Sequence, residues 1–448
     1  DEVASSSTPC FPPGPRTPAL LQAIEWGFRR VQFLEECAAR YGEIFTIRLG
    51  KMALVVTARP SDLRQLFSAR AETFVTGAAN QSLASLIGDE SLFVLDGADH
   101  RRVRRLCLPA FSARRMDEYG DALLGDALKS LDDMPHGSFR LCDWLDTVLQ
   151  RVIARVVFGL TPADADYALL LSALRRIAST LTSSKAGLMA FPELQRFLGP
   201  LAPLSDFRSA NEALEALARR LVHEARGSNR RPDSFLASLV AERDGDRALT
   251  DDEVLSQVRT FVVAGVETVV SGCAWTLRWV LDSPELSSAL RSELDACSQG
   301  GPLVAAQVAG LGLLDACVRE SLRLSPPTAS LVRIPNEDLD LEPFLIPAGT
   351  PVLGSIYLAH HRSQAFAAPL TFDPLRFRGT AVSPYEWLPF GGGERRCIGM
   401  HVAMHEIKLI VAAVVHHRNL TLHQPRRIRP VLRGTTLAPS GGLRVRSA

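Results

Sequence analysis

Residues 260–277, TFVVAGVETVVSGCAWTL, constrain the fold more than any other part of the chain. The run is close to the ~20 residues that a membrane span needs. Glu267 stands at its middle, Arg259 and Arg278 bracket it, and sequence of helical period continues on both sides. These features favour a buried central helix of a large domain over a span, because a helix that is apolar all round must be covered by other protein. With 448 residues, 46% of them hydrophobic, the chain has the apolar side chains to cover it.

The surrounding pattern agrees. PSDLRQLFSAR, RMDEYGDALLGDALKSL, DWLDTVLQRVIARVVFGL and SANEALEALARRLVHEARG all carry helical periodicity, and strand signals are sparse up to about residue 325. Residues 44–57, IFTIRLGKMALVVT, read as a hairpin turning at Gly50-Lys51. The Gly/Ala/Ser-rich stretch 75–97 and the stretch 183–206, with Pro192, Pro200 and Pro203, read as loops that shape an entrance. Between 326 and 396, prolines and glycines separate short apolar runs, which predicts small strands and coil before a last helix over 398–416. There is no internal repeat and no low-complexity linker. The expected fold class is mainly α with a minor β part.

Fifty basic and forty-nine acidic residues leave a net charge of +1, which gives no sign of a nucleic-acid binder. The start, DEVASSSTPCFPPGPRTP, has no charged n-region followed by an apolar h-region, so no signal peptide is visible and a cytoplasmic location is expected. Whether an anchor precedes residue 1 is left open. The eight cysteines form no CxxC pair or disulfide framework, and most read as small core residues of a protein in a reducing compartment.

Cys397 is different. In LPFGGGERRCIGM, Arg395 and Arg396 precede it, helix-like sequence follows, and Gly391, Gly392, Gly393 and Gly399 strip bulk from both sides. Positive charge and a helix N-terminus lower a thiol pKa, which suits metal ligation or nucleophilic attack. A bystander cysteine in a glycine-rich turn is the alternative. The spacing decides between them, since Phe390-x-x-Gly393-x-Arg395-x-Cys397-x-Gly399 resembles, at each defined position, the haem-binding signature of the cytochromes P-450, the haem-thiolate monooxygenases.

The resemblance implies a triangular helical prism around a buried haem b (iron protoporphyrin IX). Cys397 is then the axial iron ligand, whose thiolate favours O–O cleavage. Phe390 packs beside the sulfur, Arg395 reaches a propionate, and Gly391, Gly399 and Ala264 lie against the porphyrin. Ala264-Gly265-Val266-Glu267-Thr268 resembles the family's oxygen-activation segment, with Glu267 and Thr268 as proton donors. Thr268 is expected to bond back to the Ala264 carbonyl and, with Gly265, to open the helix.

Glu320 and Arg323 share a helix face and, with Arg376 in TFDPLRF, resemble the family's buried network below the haem. Leu375 stands where the family often has Glu. His100 and Arg104, four apart, and Arg333 resemble its propionate contacts. Arg101, Arg102 and Arg105 read as a solvated face which, with Arg396, offers a basic surface to an acidic electron donor.

The motifs interleave from about residue 12 to the end, so we expect a flexible segment over 1–11 and one catalytic domain over 12–448. The family implies pocket residues at Ala264, Thr268, Thr328, Ala329, Ser330, Leu331 and Ser440. Their small or apolar character suits a hydrophobic substrate such as a terpenoid, steroid, fatty acid or polyketide. The expected reaction is hydroxylation or epoxidation with dioxygen by a monomeric enzyme. No G-x-G-x-x-G follows a strand, so electrons are expected from a separate ferredoxin or flavodoxin with its reductase.

Two other classes compete. A zinc hydrolase is suggested by His401, His405 and Glu406, but the order HxxxHE is neither HExxH nor HxxEH. A haem-thiolate rearrangement enzyme or a haem sensor has no need of the Glu267-Thr268 pair.

Overall fold

The computed structural model describes residues 11–68, 71–182, 205–227, 234–245, 247–379 and 382–447. The loop expected over 183–206 therefore lies outside the described residues, apart from its last two, which begin a helix, and the segment 1–11 lies outside them apart from Phe11. The fold is mainly helical with small β-sheets, as expected. Its contacts divide into two units: residues 1–81, 328–371 and 381–397 form the first, and 82–327, 372–380 and 398–448 the second.

The first unit is built on a five-stranded sheet in the order β1 (Ile44–Leu49), β2 (Met52–Thr57), β10 (Val352–Ser355), β7 (Ser330–Pro335) and β3 (Phe74–Val75). The predicted hairpin is present, with Leu49 opposite Met52. Gly50, at φ +66°, takes the first central position of the two-residue turn, where a type II′ hairpin favours glycine. β2 and β10 run parallel, and β10 and β7 antiparallel. Helix Pro60–Ser68 covers β10 closely, since a side chain at Gly354 would sit 2.9 Å from Leu63 and 3.0 Å from Phe67.

The second unit surrounds the central helix, Asp251–Asp282. Its start is fixed by a capping box in which Thr250 accepts from the Glu253 amide while Glu253 accepts from the Thr250 amide. Its end is set by Ser283 and Pro284, which cap and open the next helix. The helix is long and apolar enough to cross a membrane, yet 72% of its apolar window is buried inside the protein. Helices Leu141–Val156, Ser205–Gly227, Gly312–Leu324 and Met400–His417 pack on it. The hairpin of β12 (Pro430–Arg433) and β13 (Thr436–Pro439) is pinned to it, because the Leu437 carbonyl accepts from Ser271 Oγ at 2.6 Å and Trp275 Nε1 at 2.9 Å.

Three expectations needed correction. The stretch 75–97 is not plain loop: it holds short helical turns at Gly77–Asn80, Gln81–Leu83 and Ala84–Ile87. They stop at Gly88, where φ is +90° and a Cβ would meet Ser256 Oγ at 2.2 Å. The helical region also contains a strand, β4 (Gly137–Arg140), which pairs with β14 (Arg444–Ser447). Four residues without clear alternation gave no local signal, and the strand exists because a segment 300 residues on completes it. Finally, the last helix starts at Met400 rather than at 398.

Candidate functional site

In the first unit, the turn carrying Cys397 is held by its own backbone. The Cys397 amide donates to Phe390 O at 2.9 Å, the Arg396 amide to Gly393 O at 3.0 Å, and the Gly391 amide to Leu388 O at 2.9 Å. The turn is anchored from behind by His360, fully buried, whose Nε2 accepts from the Leu388 amide at 2.8 Å. Sequence reasoning saw imidazoles in AHHR but gave this one no role.

The glycines turn out to serve the turn itself. Gly391 and Gly393 have φ of +66° and +64°. A Cβ at Gly393 would lie 1.6 Å from the Phe67 carbonyl oxygen, and one at Gly391 2.9 Å from Leu331 Cδ1. At Gly399 it would meet, among the described residues, only Phe111, at an ordinary 3.7 Å. The first two glycines are thus required by the chain's own path, whereas Gly399 is not.

Cys397 is exposed and Arg395 is half-buried at the end of a short 3-10 turn, Gly393–Arg395. Arg333 is 5% exposed on β7, with Nη1 donating to Val332 O at 2.9 Å and its guanidinium 5.4 Å from the Phe67 ring. The unit therefore gathers Arg333, Leu331, Phe67 and the glycine turn. Thr328, Ala329, Ser330 and Leu331 are half-buried beside them in sequence, with Ala329 O accepting from the Tyr357 amide. Elsewhere Cys37 is pushed up to about 11, and Cys107, Cys142 and Cys317 to about 12, each chiefly by burial. Such thiols stay protonated and inert, as the core-residue reading expects.

In the second unit, Glu320 and Arg323 have no exposed side-chain surface. They form a two-pronged pair, with Nε to Oε2 at 2.7 Å and Nη2 to Oε1 at 2.9 Å. Glu320 Oε1 also accepts from Arg376 Nε at 2.9 Å and from the Asp373 amide at 3.0 Å. All three expected residues meet, and a carboxylate so fully bonded can remain ionised in the interior. Leu375, the departure from the family pattern, is 61% exposed and outside the network.

On the central helix, Thr268 Oγ1 donates to Ala264 O at 2.7 Å, as expected. The helix nevertheless runs unbroken from Asp251 to Asp282, so the expected opening is not seen. Thr260 and Thr276 make the same backward bond, at 2.6 and 2.8 Å, so the bond alone does not single out Thr268. Exposure helps: Phe261, Ala264, Gly265 and Thr268 are half-buried along one stripe, with Val263 half-buried off it, while Val262, Val266, Glu267, Val269 and Val270 are buried.

Glu267 is 8% exposed and burial pushes it up to about 7, with Arg433 opposing and Asp146 adding to the rise. Arg433 Nη1 lies 3.6 Å from Glu267 Oε2, and Arg433 Nη2 donates to Asp146 Oδ2. Neither Asp146 nor Arg433 carried a sequence signal, because each becomes significant only through long-range packing.

His100 is 2% exposed and Arg104 half-buried on one helix, Gly97–Cys107. Arg102 is half-buried and paired with Glu253, which corrects its reading as solvated, and Arg105 pairs with Asp244 at 3.3 Å. Ser440 accepts from the Arg429 amide at 3.0 Å and lines a polar recess with His423, Arg427 and Arg444. Among the described residues, His401 and His405 included, no three His, Cys, Asp or Glu side chains gather as a metal site.

A family model described as Cytochrome P450 matches residues 9–444. Two relatives from Mycobacterium tuberculosis, putative cytochromes P450 135B1 and 135A1, are 30% and 31% identical over 99% of this chain and 93% and 96% of their own lengths. The solved structure of cyanobacterial CYP120A1 with retinoic acid bound matches with a TM-score of 0.85 at 22% identity, covering 99% of this chain and 100% of that one.

The family's cofactor is haem b, and the residues present fit it. In the first unit a soft thiol stands on a backbone-anchored turn, with Arg333 and Arg395 as cations of the kind a propionate needs; in the second, Gly399 leaves space a Cβ would fill, and His100 and Arg104 share one helix. With the match extending over nearly all of its length, the chain belongs to the cytochrome P450 family, as a bacterial-type member whose cofactor is haem b.

Proposed function

We propose that this haem-thiolate monooxygenase hydroxylates or epoxidises a hydrophobic small molecule of terpenoid, steroid, fatty-acid or polyketide type, with electrons from a separate ferredoxin or flavodoxin and its reductase. Membership in the family supports monooxygenase chemistry with dioxygen, a hydrophobic substrate and a redox partner in general. The observation that carries the reading is the Cys397 turn, whose motif residues are bonded into a rigid loop rather than merely present in sequence.

Haem b, when bound, supplies the reductive activation of dioxygen. Cys397 would ligate its iron, and Arg333, Arg395, His100 and Arg104 would hold its propionates. Glu320, Arg323 and Arg376 fix the segment 372–377 by charge-assisted bonds. Thr268 would orient a proton donor: its hydroxyl hydrogen is committed to Ala264 O, so its oxygen lone pairs remain to accept. Glu267, held near neutrality, would supply the proton. Ala264, Thr268, Thr328, Ala329, Ser330 and Leu331 would contact substrate, Ser440 in its polar recess would not, and residues 12–448 would work as one catalytic domain.

The reading is tested by the absorption of reduced protein with carbon monoxide. A haem-thiolate band is expected in the parent and none in Cys397→His. A parent without that band would sink the assignment. Titration with a lipophilic library, retinoic acid among it, should shift the haem from low to high spin for the right substrate class.

A further inference from the structure

We propose that Asp146, Arg433 and Glu267 form one buried unit holding a single exchangeable proton, with Glu267 as the group that releases it and Asp146 and Arg433 as positioning residues. This rests on the reading of Glu267 and Thr268 as the proton-delivery pair.

The three groups come from helix Leu141–Val156, strand β12 and the central helix, and their side chains are 13%, 14% and 10% exposed. Arg433 Nη2 is bonded to Asp146 Oδ2, while its Nη1 stands 3.6 Å from Glu267 Oε2, within ion-pair reach but too far for a hydrogen bond. Four buried atoms of these three side chains have no hydrogen-bond partner among the described residues: both carboxyl oxygens of Glu267, Asp146 Oδ1 and Arg433 Nη1.

Charge counting gives the consequence. Two carboxylates facing one guanidinium carry a net negative charge when both are ionised, and none when one is protonated. Burying an unbalanced charge is costly, so the neutral, singly protonated state is favoured. The proton resides on Glu267, because Asp146 has a hydrogen bond from the guanidinium that favours its ionised form and Glu267 has none.

Burial raises both acids, Glu267 to about 7, and Arg433 opposes the rise in each. Burial pulls Arg433 down, but Asp146 and Glu267 more than offset this, so it stays charged. When Glu267 loses its proton, Arg433 Nη1 is the unused donor that receives the new carboxylate. The O–H bond of Glu267 breaks, the proton passes towards Thr268, and solvent water later restores it.

Among the described residues, the charges that act on Glu267 are those of Arg433 and Asp146. Helix Leu141–Val156 adds the Cys142 thiol, with Asp143 and Arg140 acting on Asp146 rather than on Glu267. On the other packed helices, Glu406 faces Cys273, Glu320 pairs with Arg323, and Glu215 meets Arg259. Helices Ala84–Ile87 and Phe235–Ala241 and strand β13 carry no titratable side chain.

The test is isotope-edited infrared titration of the holoenzyme with labelled glutamate, reading the protonated carboxyl stretch against pH. Glu406 is also buried, so the two bands are told apart by Glu267→Gln and Glu406→Gln. The Glu267 band should be present below neutrality and vanish with a midpoint near pH 7. Asp146→Asn leaves a neutral ion pair that needs no proton, so that midpoint should fall by about two pH units. Arg433→Lys should keep it, and Arg433→Gln should raise it.

A parent Glu267 already ionised at about pH 6 would overturn the proposal whatever the stability of the variants, and so would an Asp146→Asn midpoint equal to the parent's. If the band behaves as expected but Glu267→Gln and Thr268→Ala both leave product formed per electron unchanged, the delivery role fails while the shared proton stands.

Discussion

The turn at Cys397 and the middle of the central helix carry the two halves of the proposed chemistry, and they are stabilised by different physics. The turn depends on backbone path: positive φ at Gly391 and Gly393, a carbonyl of Phe67 within 1.6 Å of where a Cβ would go, and amide bonds to Leu388 and Phe390 oxygens. The helix depends on buried charge: Glu267 beside Arg433 and Asp146, and, within the same unit, Glu406 and the Glu320 network. A local backbone requirement leaves a fixed-spacing motif in sequence. A buried charge cluster leaves none, because its members are brought together from distant segments.

The comparison breaks most readily at alkaline pH. Glu406 is pushed up to about 8 by burial alone, from an ordinary value near 4.5. A raised acid contributes fully below its unfolded value and loses that contribution as pH rises through the folded one. Glu406 should therefore account for roughly 4–5 kcal/mol of the parent's loss between about pH 4.5 and pH 8, and Glu406→Gln should lose less by that amount, keeping only the share due to Glu267. Urea midpoints at about pH 5 and about pH 9 would show this, and parallel curves for parent and variant would refute it.

Next comes Glu320→Gln, which leaves Arg323 without a counter-charge at zero exposure and should destabilise by about 3–5 kcal/mol. Thermal unfolding measures that loss, and a shift of only a degree or two would mean the network contributes little. In the turn, Gly393→Ala forces a left-handed alanine, costing about 1–3 kcal/mol before the Phe67 clash is counted. Its loss should be independent of pH, with haem content falling while far-ultraviolet circular dichroism stays helical. The smallest effect is expected at Gly399→Ala, within about 0.5 kcal/mol, since a Cβ there meets only Phe111. A haem loss in that variant without a change in fold would show that Gly399 serves the cofactor and not the chain.

Much of this was legible beforehand. The hairpin at 44–57, the central helix, the Thr268 bond to Ala264 and the Glu320–Arg323 pair follow from period or spacing over short distances, whereas the arrival of Arg376 was expected from the family resemblance alone. The misses share one cause. β4 is a strand because β14 pairs with it, Arg102 is half-buried because Glu253 meets it, and His360 matters because the Leu388 amide lies against it. None of those partners is near in sequence.

The sequence by itself determined the family and the turn proposed to carry the cofactor ligand, because a turn of fixed backbone path demands particular residues at fixed offsets. Only the tertiary structure decided the environment of the proposed proton donor. Glu267 reads the same in sequence whether exposed or buried, and its proton affinity is set by desolvation and by two charges contributed from residues 146 and 433.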